Sequence, residues 1–169
     1  LLQNQRQKNT SQRRLITLSR QPPAQKCRKL YQLSAGQGLG IIAGNYAASV
    51  KRGRLTQEEA TKRQARMSGH TDMAALADAD LIIEAVFEDM ALKLDVAAKL
   101  GAVRKPGAII ATNTSTLDVD RIALATGCPA DVVGTHFFSP AHIMRLLEVV
   151  RGRDTAPDVL ATVMGIARK

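Results

Sequence analysis

Residues 81–86 read LIIEAV, residues 107–113 read GAIIATN, and residues 132–138 read VVGTHFF. Each contains a short, nearly unbroken apolar run, the pattern of a strand covered on both faces rather than one with a wet side. Helical spacing fills the intervals. One helix of about residues 88–102 follows LIIEAV, and a second, LDVDRIALAT (117–126), follows IIATN. Ser115 or Thr116 is expected to cap the second, and Gly127 with Pro129 to end it. Beyond VVGTHFF come a loop SPAHIM, a strand RLLEVV (145–150) and a last helix entered at Thr155, with Pro157 in its first turn. Strands alternating with helices predict βαβ units, so the fold class is α/β, a parallel sheet with helices on both faces.

Working upstream, Leu39, Ile42, Tyr46 and Val50 recur at helical spacing from Gly36 until Arg52-Gly53 stops the pattern. A second helix opens at Thr56, where Glu59 completes a capping box, and runs to about Met67. Together they form an inserted helical hairpin with basic residues on its solvent side. Residues 1–35 differ in kind. They are rich in Gln, Arg, Lys and Ser, contain Pro22-Pro23, and hold one apolar patch, LITL. This head reads as largely disordered, and its acid-free, Arg- and Ser-rich composition also matches an organelle transit peptide with a poor amphipathic pattern.

The chain has 169 residues, of which 45% are hydrophobic, which suits one domain. No run approaches the roughly 18 to 20 apolar residues of a membrane span. Cys27 and Cys128 lie far apart without CxxC or Cys/His clustering, so neither a disulfide framework nor a metal site is expected. The net charge of +9 suggests nucleic acid until it is divided. Residues 1–70 hold 14 Lys and Arg against 2 acids, whereas residues 71–169 hold 10 against 13. Tyr31 is the single aromatic residue of the first 34, so the head lacks stacking platforms and nucleic acid ranks behind an enzyme.

Ligands of open α/β sheets bind beyond the carboxyl ends of the strands. Those ends are polar: Phe87, Glu88 and Asp89; Asn113, Thr114 and Ser115; and His136. Each has a bland alternative, as a first-turn helix charge, a capping turn and a core histidine. In an antiparallel hairpin, His136 and Glu148, equally far from His142, face each other across the strands. A carboxylate beside an imidazole orients it and stabilises its cation, the arrangement of a general base. Ser115 at the neighbouring strand end is placed to bind the same substrate oxygen. His and Glu with a hydroxyl suit proton abstraction from an alcohol. The alternative for Glu148 is a solvent-facing strand residue.

ADADLIIEAVFEDMALK (77–93), GAIIATNTSTLD (107–118) and VGTHFFSPAHIMRLLEVV (133–150) resemble the NAD-binding domain of the 3-hydroxyacyl-CoA dehydrogenases. The similarity is greatest to the form built into bifunctional and multifunctional fatty-acid β-oxidation enzymes. It runs from about Gly38 to Lys169, and NYAASVKRGRLTQEE (45–59) fits the helical excursion of this family. The resemblance implies that His136 removes the 3-hydroxyl proton, that Glu148 is its carboxylate partner, and that Ser115 binds the substrate oxygen. It places Ala85, Glu88, Lys93, Asn113 and Ser139 along the NAD site. Lys51 and Arg52 match basic positions that hold the CoA portion of an acyl-CoA, or else form a solvated face. It further implies a homo-oligomer or a fused hydratase in a complete enzyme. The expected location is the cytoplasm of a bacterium, or the mitochondrion or peroxisome of a eukaryote.

The family begins with a strand, a GxGxxG turn into a helix, a second strand and an acid for the ribose. Gly36-Gln37-Gly38-Leu39-Gly40 lacks the third glycine in register, follows the polar YQLSA and precedes the wrong helix. No acid precedes Glu58. The expectation is therefore an incomplete Rossmann-like sheet with an antiparallel terminal hairpin, divided into a head (1–35) and a partial NAD-binding domain (36–169). Weak NAD binding and little turnover follow. The missing initiator Met suits a fragment, the family's all-helical domain would follow Lys169, and a reading-frame or gene-model error would explain the head.

Overall fold

The computed structural model describes residues 15–18, 35–141 and 143–168. Its sheet has five strands in the order β1 (Leu15–Leu18), β2 (Leu81–Glu84), β3 (Ile109–Asn113), β4 (Val132–Phe137) and β5 (Leu147–Val150). The first four are parallel and β5 returns antiparallel to β4. The helices are α1 (Ala35–Lys51), α2 (Gln57–Gln64), α3 (Met90–Val103), α4 (Val119–Ala125) and α5 (Pro157–Ala167).

Alternation along the central strands divides the core in two. Ile82, Ile110 and Val132 pack with Val96 and Leu100 of α3 and Ala123 of α4. Their neighbours Leu81, Ile109, Ala111 and Val133 pack with Val159 and Val163 of α5. Each Val, Leu or Ile side chain among them, fully buried, contributes about 1.5–3 kcal/mol. Helices thus cover both faces, as the unbroken apolar runs require. Gly134 permits a close approach on β4: a Cβ there would lie 2.8 Å from Val119 Cγ2 and 2.9 Å from Val150 Cβ.

Several local expectations change. LITL, in the head read as largely disordered, is β1, paired Leu15 to Leu81 through Leu18 to Glu84. β2 offers an open backbone edge, and a short β-prone run satisfies it. The rest of the head lies outside the described residues, as does His142. Gly36, Gly38 and Gly40 lie inside α1, in keeping with the helical pattern read from Gly36. Asp118, not Ser115 or Thr116, caps α4, accepting from the N–H groups of Asp120 and Arg121. Thr155 does not enter α5; its hydroxyl donates to the Val132 carbonyl at 2.7 Å, and Ala156 precedes Pro157 at the first turn. The capping box of Thr56 and Glu59 is present on α2, and Gly127 takes φ 72° beyond α4.

Candidate active site

The carboxyl ends of β2 and β3 and the far end of β4 meet along one edge of the sheet. Across it, Glu84 pairs with Thr112, and Thr112 with Gly134. These residues share the face covered by α3 and α4, since each lies two positions beyond a member of that core. His136 continues the same face of β4, directly opposite Glu148 in the register. The imidazole Nδ1 lies 2.8 Å from Glu148 Oε2. The Phe138 ring lies 4.7 Å from the imidazole, centroid to centroid, and bounds it on one side. A carboxylate on Nδ1 leaves Nε2 as the atom that can exchange a proton with a ligand.

At the end of β3, Asn113 Oδ1 accepts the Phe137 N–H at 3.0 Å, and the Thr114 N–H donates to the Thr135 carbonyl. The two strand ends are thereby locked side by side. The turn after Asn113 is gathered on Glu88, whose Oε1 accepts from the Thr114 hydroxyl at 2.6 Å and from the N–H groups of Ser115 and Thr116 at 2.9 and 3.1 Å. The Ser115 hydroxyl also donates to it at 3.2 Å, leaving its oxygen lone pairs for another donor. Desolvation raises the Glu88 carboxyl, but these hydrogen bonds outweigh it and lower it from 4.5 to about 2. Glu88 is therefore a fixed negative charge.

Lys93 points inward. Its ammonium donates to Glu84 Oε1 and Oε2 at 2.9 and 3.0 Å and to the Asn113 carbonyl at 2.9 Å, matching its three protons. Glu84 also accepts from the Val86 N–H and the Thr112 hydroxyl. Sequence reasoning passed over Glu84 and Thr112. The available signal was an acid inside an apolar strand, since a carboxylate is buried there only with partners.

Among the expected residues, the structure therefore brings together His136 with Glu148, Ser115 with Glu88, and Lys93 with Asn113. Ala85 lies half-buried just beyond β2, and Ser139 is exposed in the loop after β4. Lys51 and Arg52 are exposed at the end of α1, and among the described residues no hydrogen bond or ion pair joins them to the other site residues. Among the described residues no group of three or more His, Cys, Asp or Glu could hold a metal ion, and no helix is long and apolar enough to cross a membrane.

The peroxisomal bifunctional enzyme of Cavia porcellus is 58% identical over 99 residues, 59% of this chain and 14% of the relative. The human peroxisomal bifunctional enzyme is 49% identical over 125 residues, 68% of this chain and 17% of the relative. A peroxisomal fatty acid β-oxidation multifunctional protein of Arabidopsis thaliana is 39% identical over 132 residues, 78% of this chain and 18% of that protein. The chain thus spans less than a fifth of the curated relatives it matches. The crystal structure of 3-hydroxybutyryl-CoA dehydrogenase from Escherichia coli superposes with a TM-score of 0.76 at 36% identity, over 79% of this chain and 28% of that one. The (S)-3-hydroxybutyryl-CoA dehydrogenase of Ralstonia eutropha gives 0.77 at 28% identity, over 79% and 47% of the two chains. The profile of the 3-hydroxyacyl-CoA dehydrogenase NAD-binding domain matches residues 29–169, and the chain belongs to that family.

Proposed function

We propose that this chain is the NAD-binding part of an enzyme that oxidises (S)-3-hydroxyacyl-CoA to 3-oxoacyl-CoA in fatty-acid β-oxidation. The observation that carries this reading is the His136–Glu148 pair, 2.8 Å apart at the mouth of the sheet. His136 Nε2 takes the 3-hydroxyl proton, and Glu148 holds the tautomer and stabilises the imidazolium that forms. Ser115 steadies the substrate oxygen, and Lys51 and Arg52 meet the CoA phosphates. In this family NAD supplies the hydride acceptor. The whole protein joins this domain to a hydratase or to a second copy. It works in the peroxisome or mitochondrion of a eukaryote or in bacterial cytoplasm; the peroxisomal names of the curated relatives support the first.

The residues present fit one half of NAD. Fixed acceptors and hydroxyls at Glu88, Asn113 and Ser115 suit the nicotinamide and its ribose, with Ala85 and Ser139 at the margins. For the pyrophosphate half, the sequence after β1 offers no glycine-rich turn. β1 ends at Leu18, the next glycine is Gly36, and Pro22 and Pro23 between them carry no N–H to donate. The domain accordingly holds the dinucleotide weakly. Acetoacetyl-CoA should drive NADH oxidation at a rate that rises in proportion to NADH without saturating. No binding of acetoacetyl-CoA and no rate at any NADH concentration would overturn this function.

A further inference from the structure

We propose that Glu84 and Lys93 are positioning residues for the proton-transfer pair, a role that rests on His136 being the base. The resemblance to the family places Lys93 along the cofactor, but in this structure its three protons all point into the protein. Two go to Glu84, and the third goes to the main-chain carbonyl of Asn113. That carbonyl belongs to the last residue of β3, whose side chain holds the Phe137 N–H, next to His136. Asn113 thus links a buried ion pair, bonded to its main-chain carbonyl, to the backbone that carries the imidazole, bonded to its side-chain oxygen.

The geometry explains why a charge is kept at this depth. A neutral side chain in place of Lys93 would take away one of the two hydrogen bonds on the Asn113–Thr114 peptide plane, leaving the Thr114 N–H on the Thr135 carbonyl as the other, so the plane would rotate more readily. Asn113 Oδ1 must reach across to β4, so rotation of that plane carries the acceptor away from Phe137. Glu84 orients the lysine. It is itself fixed by the Thr112 hydroxyl at 2.7 Å and the Val86 N–H at 2.6 Å, so the ammonium has one position. The pair acts on the proton-transfer residues through Asn113.

Amide hydrogen exchange followed by NMR tests this without NAD or substrate, so its outcome is separate from that of the dehydrogenase reading. The variant to use in the 169-residue chain is the double substitution Glu84→Gln with Lys93→Met, which removes both charges and leaves neither unpaired. Exchange at Phe137 and Thr114 should rise about tenfold, the scale of one lost hydrogen bond. Exchange at Ile109, whose N–H donates to the Asp80 carbonyl at the opposite end of β3, should stay at its original rate. A folded double variant with unchanged exchange at Phe137 would overturn the proposal. Equal acceleration at Ile109 would also overturn it, because the pair would then serve stability alone. Unfolding of the double variant would overturn it for the same reason.

Discussion

Two acid–base pairs of nearly equal length lie on one face of the sheet and differ in depth. Lys93 and Glu84 are 2.9 Å apart with side chains 0% and 2% exposed, whereas His136 and Glu148 are 2.8 Å apart with 27% and 54% exposed. In the first pair every donor and acceptor is consumed by protein, and losing a partner strands a charge in the core. In the second, one imidazole nitrogen is held and the other is left for a ligand. The same chemistry therefore builds the frame where water is excluded, and at the surface it leaves one nitrogen of the pair open, as the proposed proton transfer requires.

The strongest way to break this contrast is to truncate the buried partner. Glu84→Ala should destabilise the domain by about 3–5 kcal/mol, because it leaves the Lys93 ammonium uncompensated. Denaturant unfolding measures it, and a loss below about 1 kcal/mol would mean that water reaches the site. Truncating the exposed pair should do the opposite. His136→Ala should leave stability within about 1 kcal/mol of the parent while acetoacetyl-CoA reduction falls at least about a hundredfold. Comparable losses of stability from the two substitutions would erase the distinction.

A smaller effect sharpens it at Glu88, which is exposed and yet held by hydrogen bonds from the turn after β3. Its carboxyl lies at about 2 in the folded chain against 4.5 ordinarily, so folding favours the ionised form. That contribution is fully present above pH 4.5 and is lost as pH falls towards 2. The stability difference between the parent and Glu88→Gln should thus be constant above that range and shrink below it. A pH-independent difference in acid unfolding curves would show that Glu88 keeps an ordinary carboxyl.

Much of this was legible in the chain. The apolar runs marked β2, β3 and β4, and numbering symmetry about His142 paired His136 with Glu148, the register that is found. The capping box on α2 was local and was read correctly. Legibility failed where a local preference met a remote partner. Ser115 and Thr116 are good caps by composition, yet Glu88, 27 residues from Ser115, takes their N–H groups and leaves the capping to Asp118. LITL looked like an isolated patch because its partner strand lies more than 60 residues away.

By itself the sequence determined the α/β class, the order of the elements from α1 onward, the family resemblance and the pairing of His136 with Glu148. These depend on spacing along the chain and on which residue types recur. Only the tertiary structure decided that Lys93 faces Glu84 and the Asn113 carbonyl, that Glu88 gathers the turn bearing Ser115, and that a strand lies within the head. The direction of a buried charge depends on what the fold places beside it. Desolvation makes that choice nearly absolute, and no local pattern records it.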